Sequence, residues 1–289
     1  MPVRFGVFVP QGWRMDLTEI DDPIEQYETM TRVARVADEG GWDSVWVFDH
    51  FHTVPTPELE TCFECWTITA TLARDTQNVK IGQMVGCNGY RHPALYAKIA
   101  STVDVASHGR LYAGIGAGWY EHEWRAYGFG FPELRDRMGM FREACEIIHR
   151  MWTEDYPKFE GKYYTIDGPI NEPKGVQKPH PPVVIGGHTK EAFRRAVQHA
   201  NGWYGFALDL EKTAECLAGL KKAAQEVNRP TSLGSLDISI TPGPTLDLDL
   251  VKRYADLGVH RLIPFPRVKT EQALLDFIKQ RADSFIGRA

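Results

Sequence analysis

Short runs of Val, Ile and aromatic residues recur along the chain, separated by longer stretches whose apolar positions repeat with helical period. This is the pattern of successive β-α units. The runs predict strands over residues 3–9, 43–48, 79–85, 111–115, 183–186, 203–206, 235–240 and 260–265. Helix starts are marked between them: Asp22 as a cap ahead of Pro23, His92 ahead of Pro93, and Thr189 opening KEAFRRAVQHA. Eight strand-helix pairs predict one closed (β/α)8 TIM barrel over residues 1–289. A doubly wound sheet competes, but it would place a glycine fingerprint in the first strand-helix turn, where this chain reads PQGWRMDL. One stretch interrupts the alternation. Residues 156–182 alternate around Phe159 to Ile166 and then become rich in Pro and Gly, which predicts a hairpin and loop inserted after the fourth strand and its helix. Such an insertion either covers an active site or is a solvated connector.

Charge and composition narrow the function. The formal net charge of -5 is spread without any run of Lys and Arg, so the footprint of phosphate-backbone binding is missing and nucleic acid is not an expected partner. No window approaches the length needed to span a bilayer, and the N-terminal MPVRFGVFVPQGW lacks the layout of a signal peptide; the chain reads as cytoplasmic, with no membrane partner. Five cysteines, an odd number in a long chain, read as thiols. Cys62-x-x-Cys65 has no second pair and opens no thioredoxin-like unit, so it reads as two thiols near a helix start.

In (β/α)8 enzymes the chemistry sits at the C-terminal ends of the strands. The stretch SVWVFDHFH carries Asp49 and His50 off the second strand; Asn88, Tyr90 and Arg91 follow the third, GAGWYEHEW the fourth, and GGHTK the fifth. Gly186, Gly187, His188 and Thr189 expose backbone N–H groups at a helix start, suited to an anion or phosphate. Gly114, Gly116 and Gly118 either let a flat ligand approach the backbone or simply make tight turns. His50-x-His52 has the spacing of a metal pair and suggests a metal-dependent hydrolase. Its further ligands are hard to find, since PFPRVKT follows the eighth strand, and no metal is expected.

Four segments carry a resemblance that runs almost end to end: WDSVWVFDHF (42–51), YRHPALYAKIASTVDVASHGRLYAGIGAGW (90–119), FEGKYYTIDGP (159–169) and PPVVIGGHTKEAFRRAVQHANGW (181–203). The chain resembles the bacterial luciferase-like family, and within it the branch using the deazaflavin coenzyme F420. The resemblance implies an oxidoreductase moving a hydride between the cofactor and a small organic substrate, in a family that commonly forms homodimers. An FMN-dependent monooxygenase is the close alternative, and a flavin-type binding protein without turnover a further one. Asp49 and His50 map onto the pair that distinguishes many deazaflavin users. His50 is then the acid-base group at the reacting edge of the ring, with Asp49 holding its orientation or tautomer, unless the imidazole merely positions the cofactor. The resemblance places the cofactor against Met84, Val85 and Gly86, with a cis peptide at Met84-Val85, and against Asn88, Gly116, Ala117 and Gly118, with its phosphate on Gly186 to Thr189. Trp13, Phe51 and Trp119 are candidate pocket walls. Some sugar-phosphate dehydrogenases of the group carry Glu where this chain has Trp119, so their substrate does not carry over. Glu121 and Glu123 read as exposed loop carboxylates.

Overall fold

The computed structural model describes residues 2–288. Eight parallel strands close into a barrel, each of the predicted runs supplying one. They are β1 (Arg4–Phe8), β2 (Ser44–Val47), the pair β3 (Lys80–Gln83) and β4 (Gly86–Cys87) that together make the third barrel strand, and β5 (Leu111–Gly116). The circle is completed by β8 (Val183–Gly186), β9 (Gly202–Gly205), β10 (Asp237–Ile240) and β11 (Arg261–Leu262). Closure comes from parallel pairing of β1 with β11 and of β3 with β5. The last strand is shorter than the predicted 260–265 because Pro264 and Pro266 have no N–H to give a ladder.

The third strand does not run unbroken through 79–85. Paired residues on β3 and β5 are 30 apart (Ile81↔Leu111), whereas those on β4 and β5 are 29 apart (Gly86↔Ile115). That lost residue is a bulge, and the Met84–Val85 peptide within it is cis, as the resemblance implies. Gly114 is what lets the bulge sit against β5: a Cβ there would lie 1.9 Å from the Gln83 carbonyl oxygen.

Helices α1 (Pro23–Glu39), α2 (Cys65–Asp75), α3 (Pro93–Ala106), α4 (Glu121–Ala126), α5 (Leu134–Thr153), α6 (Lys190–His199), α7 (Leu210–Glu226), α8 (Leu248–Asp256) and α9 (Glu271–Phe285) cover the outside. The three expected caps are in place. Asp22 accepts the Ile24 amide, His92 Nδ1 the Ala94 amide, and Thr189 Oγ1 the Ala192 amide. The inserted hairpin is β6 (Lys158–Glu160) with β7 (Thr165–Asp167), antiparallel. Its turn is held against α5, where the Glu143 carboxylate accepts the amides of Lys162, Tyr163 and Tyr164.

Inside the barrel, at the end where the strands begin, Arg261 is 1% exposed and ties three strands to the turn before a fourth. It donates to Asp43 (2.6 Å), Asp237 (2.9 Å), Ser239 (2.9 Å) and the Tyr112 hydroxyl (2.9 Å). Its guanidinium also lies over the rings of Tyr112 and Trp46. The Asp43, Asp237 and Tyr112 groups outweigh the desolvation that would otherwise lower its basicity, so the side chain stays charged. Removing one partner from such a buried ion cluster strands the others and typically costs about 3–5 kcal/mol. Arg261→Leu is therefore expected to lower unfolding free energy by about that much in urea titration. A loss below about 1 kcal/mol, the range of an exposed ion pair, contradicts this role.

Candidate active site

The loops leaving β1, β2, β4, β5, β8 and β9 surround a cavity of about 650 Å³ at the C-terminal end of the barrel. Trp13, Asp49, His50, Met84, Val85, Gly86, Gly116, Ala117, Gly118, Trp119, Gly186, Gly187, His188 and Thr189 all line it. Two expected members do not. Phe51 turns away from the cavity and packs on Tyr90 and Tyr127, with ring centroids 4.7 and 4.4 Å away. Asn88 lies behind the wall, buried, where its Nδ2 donates to the Tyr164 hydroxyl of the hairpin and its Oδ1 has no partner. No residue between 156 and 182 lines the cavity, so the insertion braces α5 and the loop after β4 rather than covering the site.

His50 is held by a residue that the sequence reading placed on the surface. Glu123, on α4, is fully buried, while Glu121 two positions earlier is exposed and paired with Arg125. One Glu123 oxygen accepts from His50 Nδ1 (2.9 Å) and the Tyr90 hydroxyl (2.6 Å); the other accepts from the amides of Phe51 (2.6 Å) and His52 (3.2 Å). Burial alone would raise its carboxyl, but the His50 hydrogen bond and charge, with the Tyr90 and Phe51 donors, hold it below the ordinary value. An ionised carboxylate only accepts, so His50 Nδ1 must carry hydrogen. Nε2 makes no hydrogen bond among the described residues, and the ring borders the cavity beneath Trp13, which stacks on it at 5.2 Å with 13° between planes.

Asp49 does not orient His50. Its oxygens face Arg91 in a fork (2.6 and 3.0 Å), and Oδ2 also accepts the Cys87 amide at 2.7 Å. Arg91 donates in addition to Glu64, the cap of α2. The carboxylate thus fastens the exit of β2 to β4, while its flank borders the cavity. Gln11, wholly buried, adds a third tie by bonding both the N–H and the C=O of Phe48, which holds the loop bearing Trp13 over β2.

At the opposite side Gly187 has φ +117°, a conformation that favours glycine, and it turns β8 into α6. The amides of Thr189 and Lys190 bond to nothing among the described residues, which leaves the positive end of a ten-residue helix open to the cavity. His188 Nε2 accepts the Phe206 amide, and burial lowers its basicity, so it is neutral there. Between this anion-binding end and His50 the wall is apolar, made by Met84, Val85, Gly116, Ala117 and Gly186. An apolar slot with a free helix N-terminus at one end and an imidazole at the other fits a flat ring carrying a phosphate tail. Gly114 and Gly118 are used by the protein itself, since a Cβ on Gly118 would meet Cys87 Sγ at 2.5 Å.

One face of α5 was missed by sequence reading. Leu134, Arg137, Met138 and Phe141 all line the cavity, and their i, i+3, i+4, i+7 spacing was the signal that could have found them. Burial pushes the Cys62, Cys65 and Cys87 thiols up, so they are inert thiols. Among the described residues no three of His, Cys, Asp and Glu converge as a metal-ligand set, and no helix is long and apolar enough to cross a membrane.

Residues 3–263 match the luciferase-like monooxygenase family, and the chain belongs to it. Over 216 residues it is 29% identical to an F420-dependent hydroxymycolic acid dehydrogenase of Mycobacterium tuberculosis, covering 73% of this chain and 58% of that protein. Over 205 residues it is 25% identical to an FMNH(2)-dependent dimethylsulfone monooxygenase of Pseudomonas putida, covering 70% of this chain and 55% of that one. The chain thus spans a little over half the length of each of these two relatives. The fold matches that of an F420-dependent secondary alcohol dehydrogenase in complex with an F420-acetone adduct, with TM-score 0.76, 18% identity, and coverage of 97% of this chain and 98% of that one. Relatives of this chain therefore include both deazaflavin-dependent dehydrogenases and flavin-dependent monooxygenases.

The Glu123 cluster has a pH signature. A carboxyl held below its unfolded value of 4.5 contributes stability that is fully present above that pH and is lost as pH falls through the lower folded value. Glu123→Gln removes this term. Its stability is expected to fall less steeply than wild type below pH 4.5, read from urea midpoints across that range. Parallel curves for the two proteins would argue that Glu123 is not the group titrating.

Proposed function

We propose that the chain is an oxidoreductase that binds coenzyme F420 in the barrel-top cavity and passes a hydride between it and a small, partly apolar organic substrate. The observation that carries this reading is His50, fixed at Nδ1 by a buried carboxylate, its Nε2 free among the described residues, lining an apolar slot that ends on a helix N-terminus. When bound, the deazaflavin supplies a ring carbon that gives or takes hydride. The turn Gly186 to Thr189 would hold its phosphate through the free amides of Thr189 and Lys190 and the α6 dipole. Val85, Gly116 and Ala117 flank its ring. His50 gives or takes, at Nε2, the proton that accompanies hydride transfer at a substrate oxygen, while the Glu123 carboxylate fixes the ring through Nδ1. Trp13 covers the imidazole, and Trp119 stands at the mouth. The deazaflavin is preferred to FMN because Asp49 and His50 occupy the positions of the pair that the deazaflavin branch carries.

Titration of the purified chain with coenzyme F420 and with FMN is expected to give at least about tenfold tighter binding of F420, a difference of about 1.4 kcal/mol. Equal affinities, or FMN retained through purification, would overturn the cofactor assignment in favour of a flavin monooxygenase.

A positioned acid-base group typically contributes about 10² to 10⁴ in rate. His50→Ala is expected to lower saturated turnover by that order and to leave cofactor affinity within about tenfold. Glu123→Gln should lower turnover less, since the imidazole remains but loses its anchor. Near-normal saturated turnover in His50→Ala, combined with weak cofactor binding, would reduce His50 to a positioning residue.

A further inference from the structure

Beside the main cavity, and sharing Arg14 and Phe206 with it, lies a second hollow of about 470 Å³ formed by the loops after β10 and β11. Four cationic side chains line it: Arg14, Arg267, Lys269 and Arg281. Their charges are not answered by the protein. Arg14 donates to the Val54 carbonyl, Lys269 to the Thr18 hydroxyl and Arg281 to the Leu246 carbonyl, all neutral acceptors. Arg267 makes no hydrogen bond, and none of the four forms a salt bridge, among the described residues.

The one carboxylate in the hollow is Asp16, and it is committed elsewhere. Its two oxygens accept the amides of Gly12 (2.8 Å) and Gln11 (3.2 Å), closing the turn after β1. Burial pushes its carboxyl up, and the backbone amides around it act in the opposite direction. Four cations against one sequestered carboxylate leave a concentrated positive field in a hollow whose other walls are apolar, Phe265 and Phe277 among them. Cations gathered without partners around a concave surface disfavour the empty state through mutual repulsion, and an anion relieves it. The loops after the seventh and eighth strands, which make this hollow, are also the ones that hold phosphates in many (β/α)8 barrels.

The helix N-terminus at Gly186 to Thr189 already offers the cofactor its anion site, so a second site on the other flank serves a different anion. Arg14 bridges the two spaces: its guanidinium lies 5.1 Å from the Trp13 ring, and Trp13 in turn stacks on His50. We propose that this hollow binds the anionic end, a carboxylate or phosphate, of a substrate whose apolar body extends past Trp13 to His50. The substrate class is then an organic anion with an apolar chain or ring. Assigning the anion to a substrate rests on the oxidoreductase reading above; the existence of the anion site does not.

Calorimetry on the full chain without cofactor tests this with 4-phenylbutyrate and its neutral counterpart 4-phenylbutanol. The carboxylate is expected to bind at least about tenfold more tightly than the alcohol, and the preference to shrink with added salt. Arg267→Gln combined with Lys269→Gln is expected to erase the preference, while alcohol binding and the melting midpoint stay unchanged because both side chains are exposed. Equal affinities for the two probes, or no binding of either, overturn the proposal, as does a preference that survives the double variant. If the double variant instead weakens binding of coenzyme F420 with its acidic tail and leaves phenylbutyrate untouched, the hollow holds the cofactor tail and the substrate assignment falls. Because the probes are measured without cofactor, failure of the F420 preference and failure of the anion site are separate results.

Discussion

A fully buried carboxylate is costly unless donors surround it, and Glu123 is surrounded on every side. Four donors from two places in the chain meet its two oxygens: the imidazole of His50, the amides of Phe51 and His52, and the hydroxyl of Tyr90. The short helix α4 is anchored above the barrel by two neighbouring buried side chains, Glu123 and Trp124. Through Glu123 it becomes the cover behind the β2 exit, and the β2 exit can take its sharp course because its amides have an acceptor. The site's imidazole and the course of the β2 exit are therefore both held by one charge.

The second carboxylate, Asp49, shows how two adjacent acidic and basic residues divide labour. It points away from its neighbour His50 into Arg91, which also reaches Glu64, so the ends of β2 and β4 and the start of α2 are fastened around one guanidinium. Side chains on consecutive residues of an extended segment leave on opposite sides. Asp49 and His50 could not both face the same partner, and the structure gives each a separate one. The consequence is a site in which His50 rests on α4 and its floor rests on Asp49, two supports that mutation can address independently.

Much of the frame was legible in the residues. β-branched runs bounded by turn residues located every barrel strand, and Asp22, His92 and Thr189 declared their helices because capping is a local interaction. The bulge at Met84 and Val85 was readable only through the family resemblance, since neither residue type demands it. Glu123 was not readable. WYEHEWRA presents carboxylates at 121 and 123 in equivalent local settings, and a six-residue helix is too short for periodicity to tell an inner from an outer position. Which of them is buried depends on donors supplied by residues 50–52 and 90, a long-range fact. Phe51 was misplaced for the complementary reason: its aromatic neighbours Tyr90, Tyr127 and Phe129 come together only once α4 has docked.

The two ends of the barrel solve opposite electrostatic problems. At the end where the strands begin, the buried Arg261 is matched by Asp43 and Asp237. At the end where they finish, Asp49 and Glu123 are matched by Arg91 and His50, but among the described residues the amides of Thr189 and Lys190 and His50 Nε2 have no hydrogen-bond partner, and the cations around the loops after β10 and β11 have no carboxylate partner. On the function proposed above, these groups complement ligand groups: an anion at the helix start, a proton at the imidazole, and a second anion beyond Trp13. In that proposal their order across the cavity sets an axis, from cofactor phosphate to reacting centre to substrate anion, along which the apolar walls leave room for uncharged carbon.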